Sequence, residues 1–482
     1  MLTGVNLLLR FVGTSFQVYL SGKIGAAGIG LLQLVMSVGT LAMVAGIGGI
    51  RTATMYLTAE ELGKGRPRNV CRIISGCLLY SIVISGSISF LLYHYAPLVA
   101  EKWIADGRTV SALRLYASFL PVCCLCAVMT GYFTAANRIG TLAAVEVAEQ
   151  ALSMSITMAA LYLWAGTDPV KACLCVIFGS SLGACLTLLT LVILRVRENG
   201  GSSPPFPVRN RILRIAVPLA VADDLKSGIN TIENLMVPKR LYLHSSADNP
   251  LAAFGLVSGM VFPIIMFPAA ILFGLAELLI PELARCKAAG SSDRICYLVQ
   301  KSLRVSLLYG LFLGGLVFLL SDELCLRLYK GSEAAASLRV YALLIPMLYC
   351  DAITDAMIKG LGQQKISVRY NILTSCMDVV LLYILLPKYG ISGYFASFLI
   401  THLINFGLSL RRLLKITGQR LPILTPLACI TAVAAAVLLC LSIRALFLRG
   451  ICFVAIFGSL LTLLQILSKE DILWIKGLIC KK

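Results

Sequence analysis

The stretch RILRIAVPLAVADDLKSGINTIENLMVPKR, residues 211–240, decides how the chain is interpreted. It is mostly apolar and long enough to cross a bilayer as one helix. Its middle nevertheless carries six charged or amide side chains: Asp223, Asp224, Lys226, Asn230, Glu233 and Asn234. At about 100° per residue, all of them except Asp224 fall on one helix face, which we call the polar stripe. Because ionisable groups at membrane depth are costly unless they pair or face water, the stripe predicts a polar cavity between helices.

On both sides of this stretch, apolar runs of about 20 residues recur along the chain, the pattern of a polytopic helical membrane protein. Of the 482 residues, 59% are hydrophobic and 13% are charged, whereas about a quarter are charged in soluble domains. The sequence therefore predicts an all-α membrane protein with about 14 transmembrane helices. Because the polar breaks are short loops that leave no room for a catalytic domain, we expect no enzymatic activity and no catalytic residues.

The net charge of +19 would favour a nucleic-acid partner in a soluble protein. In a membrane protein the positive-inside rule explains it better, so we expect no nucleic-acid partner. Lys and Arg concentrate in alternate loops, in clusters at 64–72, 195–214, 285–294 and 411–420. This bias predicts that both termini lie in the cytoplasm. The cations expected inside helices are Arg10, Arg51 and Lys226.

An internal repeat of about 225 residues divides the chain. The segment Leu113-Arg114-x-Tyr116-Ala117-x-x-x-Pro121 recurs as Leu338-Arg339-x-Tyr341-Ala342-x-x-x-Pro346, and Gly30, Gly49 and Gly65 recur as Gly255, Gly274 and Gly290 at the same shift. Parallel repeats of six helices are a transporter architecture, with substrate bound where the halves meet. The predicted organisation is an N-terminal lobe (1–197), a cytoplasmic linker (198–210), a C-terminal lobe (211–415), and two extra helices with a cytoplasmic tail (416–482).

Most of the 17 cysteines lie in apolar spans. They lack the spaced pairs and polar surroundings that a zinc site needs. We therefore expect small packing residues that stay reduced, and no metal site.

Three motifs resemble a known family. They are Gly25-x-x-Gly28-Ile29-Gly30-x-x-Gln33, Glu60-Glu61-x-Gly63-Lys64-Gly65 and Ser258-Gly259-x-x-x-Pro263-x-x-x-Phe267-Pro268. The chain resembles the stage V sporulation protein B and polysaccharide exporter (flippase) family of the multidrug/oligosaccharidyl-lipid/polysaccharide exporter superfamily. The resemblance implies two six-helix lobes, often with two extra C-terminal helices, around an alternating-access cavity. It also implies movement of lipid-linked sugars, including peptidoglycan precursors, across the bacterial cytoplasmic membrane. Gln17 occupies a position where relatives often carry a basic residue.

The candidate substrate-binding residues are Arg10, Gln17, Arg51, Lys226, Asn230, Glu233 and Asn234. Arg offers a planar fork that matches the oxygens of a diphosphate, and neighbouring acids would compete for the cations and so release the cargo. The candidates for binding a coupling Na⁺ or H⁺ are Asp223, Asp224 and Glu277; no cofactor beyond this ion is expected. Three alternatives stay open: Arg10 and Arg51 could be interfacial anchors, and Lys226 could form a closed ion pair with Asp223 or Glu233.

The favoured hypothesis is a monomeric alternating-access flippase for a lipid-linked oligosaccharide or peptidoglycan precursor, surrounded by membrane lipids. Two alternatives remain. One is a cation-coupled multidrug exporter, which an acid-dominated cavity with dispensable Arg10 and Lys226 would favour. The other is a non-transporting membrane scaffold of cell-envelope glycan synthesis, which would tolerate neutral substitution of Lys226 and Glu233 together.

Overall fold

The computed structural model describes residues 2–64, 66–166, 168–197, 209–244, 249–329, 331, 334–419, 424–443 and 445–464. These residues are almost entirely helical and contain no β-strand, which confirms the predicted all-α membrane protein. Most of the predicted linker, and the tail from residue 465 onward, lie outside the described residues.

Two compact units divide the chain, Met1–Gly255 and Leu256–Lys482. The helices of the first unit are α1 (Leu2–Ile47), α2 (Ile50–Gly63), α3 (Pro67–Leu98), α4 (Val110–Ala135), α5 (Ile139–Ala160), α6 (Pro169–Val196), α7 (Arg209–Leu241) and α8 (Pro250–Gly255). Those of the second unit are α9 (Phe262–Ala288), α10 (Ser292–Tyr329), α11 (Ala335–Ala342), α12 (Ile345–Gly360), α13 (Gln364–Thr417), α14 (Leu424–Cys440) and α15 (Leu446–Leu463). Turns of π-helix cover Val99–Ile104, Leu161–Ala165 and Leu256–Val261, and a 3₁₀ turn covers Gly107–Thr109.

Seven of the described helical spans are long and apolar enough to cross a membrane, or up to eight if the bent pair α11–α12 is one span. Two of them, Leu8–Gly63 and Gln364–Thr417, are 56 and 54 residues long, whereas one crossing needs about 20. Each breaks at a glycine with positive φ, at Gly25 (69°) and at Gly390 (58°), a conformation that glycine adopts without a Cβ penalty. Each is therefore long enough for two crossings. The total of 14 stays a prediction, because α14 and α15 are shorter apolar helices.

Helix α7 contains the polar stripe and is not one of these seven apolar spans. It packs against α1 and α2 inside the first unit, although the sequence repeat makes it the first helix of the second copy. Packing and repeat are different criteria, so the repeat-based lobe boundaries stay a prediction.

Each unit has an apolar core. In the first unit, Ile50 and Leu57 of α2 pack with Ile73 of α3 and with Ile212 and Ala216 of α7. In the second unit, the two C-terminal helices pack on α10 through a cluster that contains Leu308, Leu311, Ala436, Phe453 and Phe457. The apolar faces of α14 and α15 are thus partly buried against protein.

The helix interiors also hold a cation that the sequence interpretation overlooked. Lys301 lies within the apolar span α10 and is only 9% exposed. The number of cations expected inside helices, which counted Arg10, Arg51 and Lys226, was therefore too low. All 16 cysteines among the described residues are free, and most are buried or half-buried.

A close crossing joins α1 and α8 in the first unit. A Cβ built on Gly30 would lie 2.3 Å from the backbone oxygen of Leu251, and one built on Gly255 would lie 2.0 Å from that of Ala26. Gly30 and Gly255 are equivalent positions of the repeat. Only glycine permits the two backbones to approach this closely.

A carboxylate caps the 3₁₀ turn that precedes α4. Asp106 accepts hydrogen bonds from the backbone N–H of Arg108 (3.0 Å) and from its guanidinium (Nη2, 2.7 Å). The Arg108 side chain holds the pKa of the Asp106 carboxyl below its usual value, against the opposing effect of burial.

Candidate functional site

Two polar contacts fix α7 to α1. The Thr231 hydroxyl donates to the backbone oxygen of Ser37 (3.2 Å), and the Asn234 amide donates to the Ser37 hydroxyl (3.0 Å). Ser37 in turn donates to the backbone oxygen of Gln33 (2.8 Å). Asn234, a predicted binding residue, therefore uses its amide to hold α7 on the first unit.

The other four residues of the polar stripe remain at or near the surface of the unit. Asp223, Lys226 and Asn230 are exposed, and Glu233 is half-buried. Within the described part of the chain, Lys226 forms no ion pair with Asp223 or Glu233. The closed ion pair that the sequence left open as an alternative is therefore not formed, and the Lys226 ammonium is available to a ligand.

Asp224 lies beside the stripe and differs from its neighbour Asp223. Asp224 is half-buried, and its Oδ1 is shielded without a hydrogen-bond partner among the described residues. A shielded carboxylate oxygen without a donor is costly unless it is protonated or binds a cation. This makes Asp224 the better of the two candidates for ion binding.

The predicted cations of α1 and α2 belong to the same unit as the stripe. Arg10 and Arg51 are exposed, and Gln17 is half-buried. The backbone oxygen of Leu9, next to Arg10, accepts a hydrogen bond from the Gln150 amide of α5 (3.0 Å). All the predicted site residues except Glu277 therefore lie in the first unit, which holds Arg10 and Arg51 at its surface.

Glu277 lies in α9 of the second unit and is exposed. Glu282, five residues further along α9, pairs with Arg294 (2.6 Å) and lies 3.9 Å from Arg285.

The N-terminal end of α7 is tied to the end of α2. Arg211 forms ion pairs with Glu60 (2.8 Å) and Glu61 (2.9 Å), and Asn69 donates to Glu61 (2.8 Å). The Glu61 side chain is 4% exposed, so its charge depends on these partners. Lys64 pairs with Glu60. The Glu60-Glu61 motif therefore has a structural role, which is to fix the polar stripe relative to α1 and α2.

The second unit contains a buried polar group that sequence reasoning missed. The Asn405 amide of α13 donates to Asp351 Oδ2 of α12 (3.1 Å) and lies 3.5 Å from Asn371 Oδ1. Asn405 is 7% exposed, and its Oδ1 has no hydrogen-bond partner among the described residues. A cavity of about 150 Å³ lies beside it and is lined by Asp351, Asp355, Asn371 and His402.

A half-buried carboxylate with two hydroxyl donors lies on α13. Asp378 accepts hydrogen bonds from the hydroxyls of Ser397 (2.6 Å) and Thr401 (3.2 Å). The only sequence signals for these groups are Asp351 and Asp355 one helical turn apart, and Asn371 and Asp378 seven residues apart on one face. No group of three or more His, Cys, Asp or Glu in the described part of the chain could hold a metal ion.

Comparison with known proteins finds sequence similarity along most of the chain. The MatE family model matches residues 218–384, from the polar stripe to the middle of α13. Stage V sporulation protein B of Bacillus subtilis is 21% identical over 408 residues, which cover 81% of this chain and 78% of that protein. The chain is thus similar to the MatE family over part of its length and to stage V sporulation protein B over most of it. The resemblance seen in the glycine and Glu60-Glu61 motifs is thereby confirmed.

Two solved structures share the fold of this chain. The lipid II flippase MurJ in an inward closed conformation aligns with a TM-score of 0.76 and 13% identity, covering 96% of this chain and 98% of that one. An inward-facing multidrug resistance transporter of the superfamily aligns with a TM-score of 0.65 and 14% identity, covering 86% and 96%. At these identities the likeness shows the fold alone.

Proposed function

We propose that this protein is a flippase that moves a lipid-linked oligosaccharide or peptidoglycan precursor across the bacterial cytoplasmic membrane. The observation that carries the proposal is the polar stripe of α7, where Lys226 is exposed and unpaired among the described residues. A lone ammonium inside an otherwise apolar chain needs an anionic partner, and the pyrophosphate of a lipid-linked sugar supplies one. The 21% identical stage V sporulation protein B supports the same proposal.

Three cations would receive the diphosphate. Arg10 and Arg51 would use their planar guanidinium groups and Lys226 its point charge. Asp223 and Glu233 on the same helix would compete for these cations and so favour release of the head group. Only the head group crosses the polar path in this proposal, while the lipid tail stays in the bilayer.

The mechanism would be alternating access by a monomer without catalysis. With both termini in the cytoplasm, the head group would enter a central cavity from the cytoplasm and leave on the outer side. The flippase and the multidrug transporter that share this fold support a protein that is not an enzyme and has no nucleic-acid partner.

Transport would be coupled to Na⁺ or H⁺. Asp223, Asp224 and Glu277 were the sequence candidates; burial favours Asp224, and the structure adds Asp351 with Asn371 and Asn405. Asp355, Lys359 and His402 also surround that group, with Lys359 at 2.5 Å from Asp355. Oxygen ligands of this kind suit a hard monovalent cation or a proton.

The test is flipping in vesicles. Purified protein is reconstituted with a fluorescent polyprenyl-pyrophosphate sugar, and the fraction on each leaflet is measured with native chain, Lys226→Ala and Arg10→Ala. Because one charge-assisted bond is worth about 1.5–3 kcal/mol, each variant should lose roughly tenfold or more in apparent affinity. Lys23→Ala, which removes an exposed cation of α1 outside the stripe, is the matched control. Equal flipping by all four proteins would refute the proposal.

A multidrug exporter is the second candidate, supported by the MatE match over residues 218–384. An exporter of cationic amphiphiles would depend on acids, so Lys226→Ala would leave drug efflux intact while Glu233→Gln abolished it. A non-transporting scaffold would tolerate Lys226→Ala and Glu233→Gln together.

A further inference from the structure

An apolar groove opens between α10 and α15 in the second unit. Its volume is about 640 Å³, within the usual range of ligand sites. The residues that line it are Leu316, Leu320, Glu323, Leu324, Arg327, Phe447, Gly450, Ile451, Val454 and Ala455. All are apolar except Glu323 and Arg327.

The two polar residues lie together at one end of the groove. On α10 the lining runs from Leu316 to Arg327, which is about 16 Å at 1.5 Å per residue. This matches the depth of one leaflet of hydrocarbon, about 15 Å. Glu323 and Arg327 stand near the C-terminal end of α10, and Phe447 stands near the start of α15. The groove thus has a polar mouth where a helix reaches the membrane surface and an apolar interior towards mid-membrane.

The mouth carries one net positive charge. Glu323 is neutralised by Arg449, whose Nη1 lies 2.9 Å from Oε1. Arg449 is also committed to the backbone oxygens of Ile443 (2.6 Å) and Leu319 (3.2 Å). Arg327 is exposed, lies 5.7 Å from the centre of the Phe447 ring, and forms no ion pair with any residue that the structure describes.

We propose that this groove is a binding site for an anionic phospholipid. One acyl chain lies along the groove between Leu316 and Val454, and the phosphate pairs with the Arg327 guanidinium. Phe447, which is 74% exposed, covers the glycerol region at the mouth and holds the guanidinium in place. Lipid binding at this site does not depend on the proposed transport activity, and none of the lining residues belongs to the polar stripe of α7.

Two glycines of α15 allow the groove and the charge to be tested separately. A Cβ on Gly450, which lines the groove, would meet nothing within 4 Å, and the same holds for Gly458 on the same helix outside it. Gly450→Leu should fill the groove, whereas Gly458→Leu changes the same helix by the same residue. Leucine favours helix over glycine, so neither change weakens α15 itself.

The experiment is native mass spectrometry of the full chain with phosphatidylglycerol or phosphatidylcholine. The native chain should retain phosphatidylglycerol in preference. Arg327→Gln should weaken phosphatidylglycerol retention about fivefold, the effect of one basic residue near an anionic surface, and leave phosphatidylcholine unchanged. Gly450→Leu should remove retention of either lipid at this site. Arg114→Gln, which removes another exposed arginine lying over a tyrosine ring, and Gly458→Leu should match the native chain.

Three results would overturn the proposal. They are equal losses in Arg327→Gln and Arg114→Gln, equal losses in Gly450→Leu and Gly458→Leu, and displacement of phosphatidylglycerol from the native chain by an equal amount of polyprenyl phosphate. The last result would assign the groove to the tail of a lipid carrier instead. Thermal unfolding of each variant, which should match the native chain, separates lost binding from lost folding.

Discussion

At the scale of single residues, burial separates two neighbouring acids that share one partner. Glu61 and Glu60 both pair with Arg211, but the side chain of Glu61 is 4% exposed and that of Glu60 is 30% exposed. An exposed pair contributes little because water and salt screen it, whereas removal of a buried partner leaves polar groups unsatisfied.

We therefore expect Glu61→Ala to lower the free energy of unfolding by about 1–3 kcal/mol. Glu60→Ala should lower it by less than about 1 kcal/mol. Thermal unfolding of the purified proteins measures both. Equal destabilisation by the two substitutions would show that Glu61 is not the residue that ties α7 to α2.

Asp106 provides a pH-dependent contribution. Its pKa is lowered in the folded protein by Arg108, so the folded state favours the ionised form. The resulting stability is complete above the unfolded pKa of about 3.9 and is lost as the pH falls through the lowered folded pKa. Because Arg108 is 67% exposed, we expect less than about 1 kcal/mol. Asp106→Asn should remove this part of the fall in melting temperature below about pH 4, relative to the native chain.

Residue patterns revealed only part of the candidate site. Lys226 and Asp223 were found because a charge in an apolar run is visible within one helix. Asn405 and Asp351 are 54 residues apart, and only the packing of α12 against α13 brings them together. No sequence pattern indicated that the Asn234 amide donates to the Ser37 hydroxyl, because the two residues are 197 positions apart.

At the scale of helices, the crossing of α1 and α8 depends on the absence of side chains. A methyl group on Gly255 would meet the backbone of Ala26 and Gly30, and backbone cannot move aside as a side chain can. Gly255→Ala should therefore lower the free energy of unfolding by about 1–3 kcal/mol.

Gly22→Ala is the control for this prediction, because a Cβ at that position of α1 meets nothing within 4 Å. It should leave the melting temperature unchanged or raise it slightly, since alanine favours helix. Equal melting temperatures for Gly255→Ala and Gly22→Ala would contradict the close approach of α1 and α8.

Helix existence was predictable because apolar runs of bilayer length are continuous in sequence. The two long spans break where glycine interrupts the apolar run, at Gly25 and at Gly390. The packing of α7 on the first unit was not predictable, because it depends on contacts with Glu61 and Ser37, far away in sequence.

At the scale of the whole molecule, the orientation in the membrane can be tested with a native cysteine. Cys71 is exposed near the start of α3, beside a basic cluster expected in the cytoplasm. In a chain carrying Cys480→Ser, a membrane-impermeant maleimide should label inverted vesicles and spare right-side-out vesicles. Cys71→Ser should remove most of this labelling. Labelling of Cys71 from the outer side would contradict the predicted cytoplasmic N terminus.

The extent of the first unit has a consequence for how the protein is made. Its apolar core includes Ile212 and Ala216, and the charge of Glu61 is compensated by Arg211. A nascent chain that has emerged only as far as residue 197 therefore leaves the apolar face of α2 uncovered where Ile212 and Ala216 pack. It also leaves the Glu61 carboxylate without its Arg211 partner. The ribosome must translate beyond the linker, through α7 and α8, before the first half can reach its stable form. We therefore expect the first half to stay partly assembled during membrane insertion until α7 has been synthesised.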